Sequence, residues 1–158
     1  MSCRILILNG PNLGQLGQRQ PEIYGTQSMR DLPDLLEAVM GRTVDDLDLL
    51  FFQANGEGQL IDRLEQARKE DVFGMVFNAG AYTHTSLALA DCLAWIGLPC
   101  VEVHLSNIFA RAESQRHASL LAPHCIGVIA GFGLLGYALA VQTLWMHWSA
   151  ASVSQPTS

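Results

Sequence analysis

The sequence predicts an α/β fold in which helices cover both faces of a doubly wound, parallel β-sheet. Apolar runs of strand length alternate with segments of helical periodicity along the chain. Four of the five predicted strands are mostly apolar runs rather than alternating ones, which is typical of parallel strands that are buried on both faces. Right-handed crossovers then favour the strand order 2-1-3-4-5, which is the flavodoxin-like arrangement.

The five strands are predicted at residues 4–8, 48–53, 72–78, 100–105 and 125–130. One continuous pattern over 158 residues predicts a single domain at residues 1–148. The remaining residues, 149–158, are small and polar, and we expect them to form a disordered tail.

The first helix is predicted from an apolar stripe at helical spacing, formed by Leu32, Leu35, Leu36, Val39 and Met40. Its start has two interpretations. Ser28 and Asp31 match a capping box, whereas a start at Asp31 would place Pro33 in the first turn, where proline is tolerated. Gly41 is the predicted C-cap.

The other three helices follow the second, third and fifth strands. The second helix has an apolar face formed by Leu60, Ile61, Leu64 and Ala67. The third helix, at residues 83–96, is apolar nearly all round, which predicts burial on two sides. The fourth helix is predicted at residues 133–147.

The composition limits the possible partners and the cellular compartment. Hydrophobic residues make up 49 % of the chain and charged residues 15 %, so we expect other subunits to cover some apolar surface. A net charge of −6 without a basic run argues against a nucleic-acid partner, and the apolar runs are too short for a membrane partner. Without a signal-peptide pattern or a C-x-x-C spacing, the four cysteines predict buried, reduced thiols and a cytoplasmic protein.

Lysine chemistry is also disfavoured. Lys69 is the only lysine, and it lies at a polar helix end. A Schiff base requires a desolvated lysine, so neither pyridoxal phosphate chemistry nor a direct imine with a ketone is expected.

A long loop separates the first strand from the first helix and predicts a binding loop or lid. Residues 9–25 contain four glycines and two prolines without periodicity. The polar candidates that it carries are Asn9, Asn12, Arg19 and Tyr24. Taken alone, Asn12, Arg19 and Tyr24 are better explained as ordinary turn or solvated loop residues.

Further polar residues follow the third and fourth strands, so they should meet this loop at the carboxyl edge of the sheet. The third strand is followed by Asn78 and His84, and the fourth by Ser106 and Asn107. Asn78 and His84 are each about as well explained by capping as by function.

Glu102 and His104 give the strongest functional signal in the chain. They lie two positions apart on one strand, so their side chains point to the same face. A buried apolar strand rarely carries both. A carboxylate beside an imidazole fixes the ring tautomer, as general acid–base catalysis requires.

Two other patterns are less informative. Residues 131–136 match G-x-G-x-x-G, but the chain after them has no room for a further strand with a ribose-binding acid. Close packing of a helix on the sheet explains these glycines better, although an anion at the helix N-terminus stays open. The five histidines show no metal-ligand spacing, and no metal site is predicted.

The motifs in their order resemble the type II 3-dehydroquinate dehydratase family. The matching segments are Asn9-Gly-Pro-Asn-Leu-Gly, Tyr24-Gly25, Asn78-Ala-Gly-Ala, Glu102-Val-His-Leu-Ser-Asn and Gly131-Phe-Gly-Leu-Leu-Gly-Tyr137. The resemblance implies a flavodoxin-like enzyme without metal or cofactor, assembled as a dodecamer from four trimers. It implies dehydration of 3-dehydroquinate to 3-dehydroshikimate, in either aromatic biosynthesis or quinate breakdown.

The resemblance also implies roles in forming an enolate. Tyr24, as tyrosinate, would remove a proton from the carbon beside the ketone. A free phenol has a pKa of about 10, so the cation of Arg19 would favour the ionised form. Asn12 would hold a water molecule against the enolate oxygen.

For the second half of the reaction, the resemblance implies His104 as the general acid, oriented by Glu102 and positioned with help from Asn78. His84 would contact a ring hydroxyl. The substrate carboxylate would bind the backbone amides of Leu105 and Ser106 and the Ser106 hydroxyl.

One segment departs from the family pattern. The family usually continues Glu-x-Phe-Arg-x-x-Ser after Arg111, and its arginine contacts a substrate hydroxyl and pairs with the neighbouring subunit's aspartate, which corresponds to Asp91. The aligned position is Gln115, with Arg116 beside it. We therefore expect weaker substrate binding or altered trimer contacts.

Two other functions stay open. One is a catalytically weakened paralogue with a binding or regulatory role on the same fold. The other is a nucleotide or flavin binder, although Asn9-Gly-Pro-Asn-Leu13, directly after the first strand, offers no nest of serine, threonine and glycine amides for a phosphate.

Overall fold

A computed structural model describes residues 2–18, 22 and 26–153, so Arg19 and Tyr24 lie outside the described residues. The strands are β1 (Cys3–Asn9), β2 (Leu47–Gln53), β3 (Gly74–Asn78), β4 (Cys100–His104) and β5 (Gly127–Ala130). They form one parallel sheet in the order β2-β1-β3-β4-β5, which confirms the predicted fold class and strand order.

Two pairs of helices cover the sheet, one pair on each face. The helices are α1 (Leu32–Met40), α2 (Glu57–Lys69), α3 (Leu87–Ile96) and α4 (Leu135–Val153). Alternate residues of β1 face opposite layers: Leu6 and Leu8 pack with α2 and α3, whereas Ile5 and Ile7 pack with α1 and α4. The central strands β1, β3 and β4 are therefore buried on both faces, whereas the edge strands β2 and β5 stay partly exposed.

The start of α1 combines both sequence interpretations. Ser28 caps a 3₁₀ turn, Met29–Asp31, in a capping box in which its N–H donates to Asp31 Oδ2 at 2.7 Å. The α-helix then begins at Leu32, with Pro33 in its first turn. Gly41 ends the helix with a positive φ of 59°, as predicted.

The third helix differs from its prediction in two respects. A 3₁₀ turn, Gly80–His84, precedes it, and α3 begins only at Leu87 because the Ser86 side chain caps it by accepting from Leu89 N at 2.9 Å. Within this single chain α3 buries one face only, and Leu87 and Trp95 are exposed.

The last helix is longer than predicted. It continues to Val153 instead of ending near residue 147, so residues 149–153 are helical rather than a disordered tail. The hydroxyls of Ser149 and Ser152 donate to the carbonyls of Met146 and Trp148, at 3.0 and 2.9 Å. These bonds let small polar residues continue the helix. The predicted disorder of 154–158 lies outside the described residues.

Strands β3 and β5 begin later than predicted, at Gly74 and Gly127.

Across residues 2–18, 22 and 26–153, no helix is both long and apolar enough to cross a lipid bilayer.

Candidate active site

A cavity of about 250 Å³ opens at the carboxyl ends of β1, β3 and β4, where the sequence predicts the site. The predicted site residues that line it are Asn12, Asn78, His84, His104, Leu105, Ser106 and Arg116. The topology therefore brings together residues that are far apart in the chain.

His104 and Glu102 form a buried pair at the end of β4. Their side chains are 6 % and 1 % exposed, and His104 Nε2 lies 2.6 Å from Glu102 Oε1. A carboxylate only accepts hydrogen bonds, so Nε2 carries the shared proton and Nδ1 is the remaining ring nitrogen. The predicted contact between the two side chains is present.

Glu102 is held in its ionised form by three side-chain donors. Burial by itself would raise the pKa of this carboxyl. Hydrogen bonds from His104, Thr83 and Ser119 outweigh burial and lower the pKa below its ordinary value. Thr83 Oγ1 donates to Oε1, and Ser119 Oγ lies 2.8 Å from both carboxylate oxygens. The sequence analysis did not identify Thr83 or Ser119, because only the folded chain brings them to Glu102.

His84 lies beside His104 and belongs to the 3₁₀ turn after β3. Its Nδ1 donates to the carbonyl of Ala118 at 2.6 Å, which leaves Nε2 as the second ring nitrogen. The two imidazole rings stack with centroids 6.5 Å apart and an interplanar angle of 14°.

The amide of Asn78 has a fixed orientation. Gly80 N donates to Asn78 Oδ1 at 3.1 Å, and Asn78 Nδ2 donates to the Tyr137 hydroxyl at 2.8 Å. Tyr137 in turn donates to Asn9 Oδ1 at 2.7 Å. Burial raises the pKa of Tyr137, so its hydroxyl is a neutral donor. One N–H of Asn78 Nδ2 is then left for a ligand in the cavity.

The first part of the long loop is anchored to neighbouring strands. Asn12 has a left-handed backbone with φ 67°, and its N–H donates to Asn55 Oδ1 at 3.1 Å. Gly10 N donates to Asn78 O at 2.7 Å, and a Cβ on Gly10 would lie only 2.5 Å from Ala79 O. Glycine is therefore required for this close approach.

Among the residues that the structure describes, two arginines line the cavity with their guanidinium groups. Arg116 is one of them, and its Nε lies 3.9 Å from Glu113 Oε2. Arg111 is the other, and its Nη2 donates to Ser106 Oγ at 3.0 Å. Arg111 was not among the predicted site residues, although its position in the loop after β4 was a usable signal. Gln115 is exposed and does not line the cavity.

Two other candidates lie outside the cavity. Asp91 is exposed on α3, away from the cavity walls. Asn107 caps the 3₁₀ turn Ile108–Ala110, where its side chain accepts from Phe109 N at 3.1 Å.

Gly136, the last glycine of residues 131–136, has a packing role. A Cβ on Gly136 would lie 3.3 Å from the side chain of Ile129, so the glycine allows α4 to lie close to the sheet. In the part of the chain that the structure describes, no group of three or more His, Cys, Asp or Glu side chains could hold a metal ion.

The fold and the site define the chain as a flavodoxin-like α/β protein with a buried glutamate–histidine pair beside a polar cavity at the carboxyl edge of its sheet. The family model for dehydroquinase class II matches residues 3–145. The chain therefore belongs to the dehydroquinase class II family, which confirms the resemblance seen in its motifs.

Individual relatives agree over nearly the whole length. The chain is 49 % identical over 152 residues to a 3-dehydroquinate dehydratase of Dinoroseobacter shibae, covering 96 % of this chain and 99 % of the relative. It is 52 % identical over 145 residues to one from an Exiguobacterium species, covering 92 % and 96 %.

Solved structures give the same result. The type II dehydroquinase of Butyrivibrio crossotus superposes with a TM-score of 0.82 at 38 % identity, covering 90 % of this chain and 97 % of that one. The type II dehydroquinase of Propionibacterium acnes gives 0.81 at 44 % identity, covering 92 % and 98 %.

Proposed function

We propose that this chain dehydrates 3-dehydroquinate to 3-dehydroshikimate through an enolate, with Tyr24 as the base and His104 as the acid. The observation that carries the proposal is the buried Glu102–His104 pair, which lies on a cavity of about 250 Å³ in a member of the dehydroquinase class II family.

His104 serves as the acid of the second step. With Nε2 bonded to Glu102, the protonated ring presents Nδ1–H to the substrate. When the carbon–oxygen bond of the substrate breaks, this proton goes to the departing hydroxyl, which leaves as water. The ionised Glu102 stabilises the imidazolium before the transfer and keeps the ring in one tautomer after it.

Tyr24 and Arg19 lie outside the described residues, so the family resemblance alone supports their roles. The tyrosinate takes a proton from the carbon next to the ketone, and Arg19 favours the ionised phenol. Asn12 supports the enolate oxygen through a bound water. Its anchored backbone, 3.1 Å from Asn55 Oδ1, supports this fixed role.

The substrate carboxylate binds the backbone amides of Leu105 and Ser106 and the Ser106 hydroxyl. The bond from Arg111 Nη2 to Ser106 Oγ supports this assignment, because it brings a cation to the same place. The remaining N–H of Asn78 and Nε2 of His84 serve the ring hydroxyls.

Arg116 serves as the binding arginine of this segment. Glu113, Arg116 and Ser119 have the spacing of the family pattern Glu-x-Phe-Arg-x-x-Ser when Gln115 stands at the phenylalanine position. That register requires one additional residue after Arg111, and it agrees with Arg116 lining the cavity while Gln115 is exposed. We therefore replace the alignment at Gln115 with this one. Because Arg116 supplies the cation, an active enzyme is favoured over a weakened paralogue.

The proposal includes a homo-oligomer, the dodecamer of four trimers, in which Asp91 reaches a neighbouring subunit's site. Exposed apolar side chains on α3 and around β5 support an oligomer, because a solvated surface rarely carries so many. They are Leu87, Trp95, Ile126, Val128 and Phe132. Light scattering on the eluting protein tests the subunit number, and a monomer would contradict it.

The activity is tested by adding 3-dehydroquinate and following the ultraviolet absorbance of the conjugated enone. The wild type and a Lys69→Gln control should produce it, because Lys69 is exposed and lies away from the cavity. Tyr24→Phe and His104→Ala should lose at least ~100-fold in kcat, as expected when an acid or a base is removed. A wild-type protein that produces no enone would reject the proposal.

A further inference from the structure

We propose that Thr83 and Ser119 are positioning residues that act through Glu102. Their two hydroxyls, which we call the hydroxyl clamp, hold the carboxylate in the one orientation that directs His104 into the cavity. The inference rests on the proposed function, because it assigns the clamp to the acid of that reaction.

The contacts of Ser119 favour Glu102 as the acceptor of its hydroxyl proton. Its oxygen accepts from Leu121 N at 3.1 Å and from Ala122 N at 2.9 Å, so both acceptor sites of the hydroxyl are used. The hydroxyl proton is then directed to Glu102, whose two carboxylate oxygens lie 2.8 Å away. The turn after Ser119 therefore fixes the direction of this donor.

Thr83 contributes the second hydroxyl of the clamp from a different segment of the chain. It is fully buried, it belongs to the 3₁₀ turn after β3, and its hydroxyl donates to Glu102 Oε1. Its Oγ1 lies 3.1 Å from Ser119 Oγ. Glu102 Oε1 thus receives Thr83, Ser119 and His104 together. A buried carboxylate that lost these donors would be left partly unsatisfied and free to rotate.

The clamp also joins the acid to the loop that carries the cavity arginines. Leu120 N donates to Thr83 O at 2.8 Å, and His84 Nδ1 donates to Ala118 O at 2.6 Å. These bonds connect residues 118–120 to the 3₁₀ turn Gly80–His84. Arg116, which lines the cavity, lies in the same loop just before these residues.

The charged and titratable groups around Glu102 set the expected pH effect. His104 contacts the carboxylate, and His84 stacks on His104. Arg111 and Arg116 lie on the wall of the same cavity, and Cys100 lies on the same strand. Burial works against the ionised Glu102, and the hydroxyl donors offset it. Without the clamp, the Glu102 carboxylate can rotate away from the His104 ring that it contacts. It then stabilises the imidazolium less, so the alkaline limb of the kcat profile should move to lower pH.

The test compares Ser119→Ala and Thr83→Val with variants that keep the hydroxyl, Ser119→Thr and Thr83→Ser. The two deletions should lower kcat about tenfold or more, with KM little changed, and move the alkaline limb to lower pH. Thr83→Ser should restore both properties. Ser114→Ala is the matched control, because Ser114 is exposed in the same loop. Folded deletion variants with the wild-type kcat and pH profile would overturn the proposal.

A second measurement needs no turnover. The ¹³C chemical shift of the Glu102 carboxyl gives its titration directly, and Ser119→Ala should titrate at higher pH than the wild type. If that variant does not fold, Ser119→Cys replaces it, because a thiol keeps the size with a weaker donor. An inactive wild type with the expected shift would reject the proposed function but support the clamp. An unchanged titration would reject the clamp.

Discussion

The hydroxyl of Tyr137 on the last helix donates a hydrogen bond of 2.7 Å to Asn9 at the end of the first strand, across 128 positions of sequence. The same hydroxyl accepts from Asn78, so one buried oxygen joins β1, β3 and α4 beneath the cavity. The orientation of the Asn78 amide therefore depends on a residue that does not line the cavity.

We expect Tyr137→Phe to lower both stability and activity. The substitution leaves Asn78 Nδ2 and Asn9 Oδ1 without this partner in a buried place, which costs ~1–3 kcal/mol in the free energy of unfolding. Because the amide of Asn78 can then turn, kcat/KM should fall by about tenfold. Urea unfolding and steady-state kinetics measure the two effects.

Thr143→Val is the control for that experiment. Thr143 also lies on α4, where its hydroxyl donates to Leu139 O at 2.9 Å, within the helix. It should keep the kcat/KM of the wild type. Equal kinetic losses in both variants would mean that the Tyr137 hydroxyl has no specific connection to the site.

The two neighbouring residues Gln115 and Arg116 should respond differently to substitution. Arg116 lines the cavity and Gln115 is exposed. We expect Arg116→Gln to raise KM by roughly tenfold to a hundredfold, the loss of one charge-assisted hydrogen bond. Gln115→Arg and Gln115→Ala should leave kcat/KM almost unchanged. A large gain in kcat/KM from Gln115→Arg would instead support the alignment that places Gln115 at the arginine position of the family.

The ionisation of Glu102 should appear in the pH dependence of stability. Its pKa is lower in the folded than in the unfolded chain, so ionisation favours the folded state. That contribution is fully present above the unfolded pKa, about 4.3 for glutamate, and is lost as the pH falls through the lower folded value. The wild type should therefore exceed Glu102→Gln in unfolding free energy most at neutral pH and least at about pH 3. A difference that grows in acid would contradict this sign.

Two buried thiols should be unreactive in the native protein. Burial raises the pKa of Cys3 and of Cys92 to about 11, so almost no thiolate forms at about pH 8. A disulfide reagent should modify both only after unfolding. The folded Cys3→Ser and Cys92→Ser variants should then show the same rapid thiol labelling as the folded wild type. If either substitution reduced that labelling, the burial argument would be contradicted. Cys125 is only half-buried, so the prediction of four buried thiols is wrong at that position.

The sequence predicted the parallel sheet and its strand order because long apolar runs and short turns leave few other topologies. It also predicted the Glu102–His104 contact, because the alternation of side chains along a strand is a local property. The individual strands and this contact depend on residues close together in the chain, which periodicity describes well. The strand order then follows from the rule of right-handed crossovers.

The supporting contacts were not predictable in this way. Ser119, Thr83 and Tyr137 reach the site from three different segments, and no local periodicity shows which polar groups they meet in the folded chain. The register proposed for Gln115 and Arg116 differs from the sequence alignment for a related reason, since counting along a loop cannot show where an additional residue is accommodated. The position of Arg116 in the cavity supports the proposed register.

The loop that carries Arg111 and Arg116 is held by hydrogen bonds at both of its ends. His117 Nε2 donates to Arg111 O at 2.7 Å, and Leu120 N donates to Thr83 O at 2.8 Å. Residues 112–115 lie between these hydrogen-bonded positions. An insertion there therefore lengthens the exposed part of the loop without moving Ser119, which contacts Glu102. Lengthening a surface loop costs little free energy. Residues 112–115 are therefore the best position for inserting or deleting residues when the substrate preference of the fold is to be redesigned.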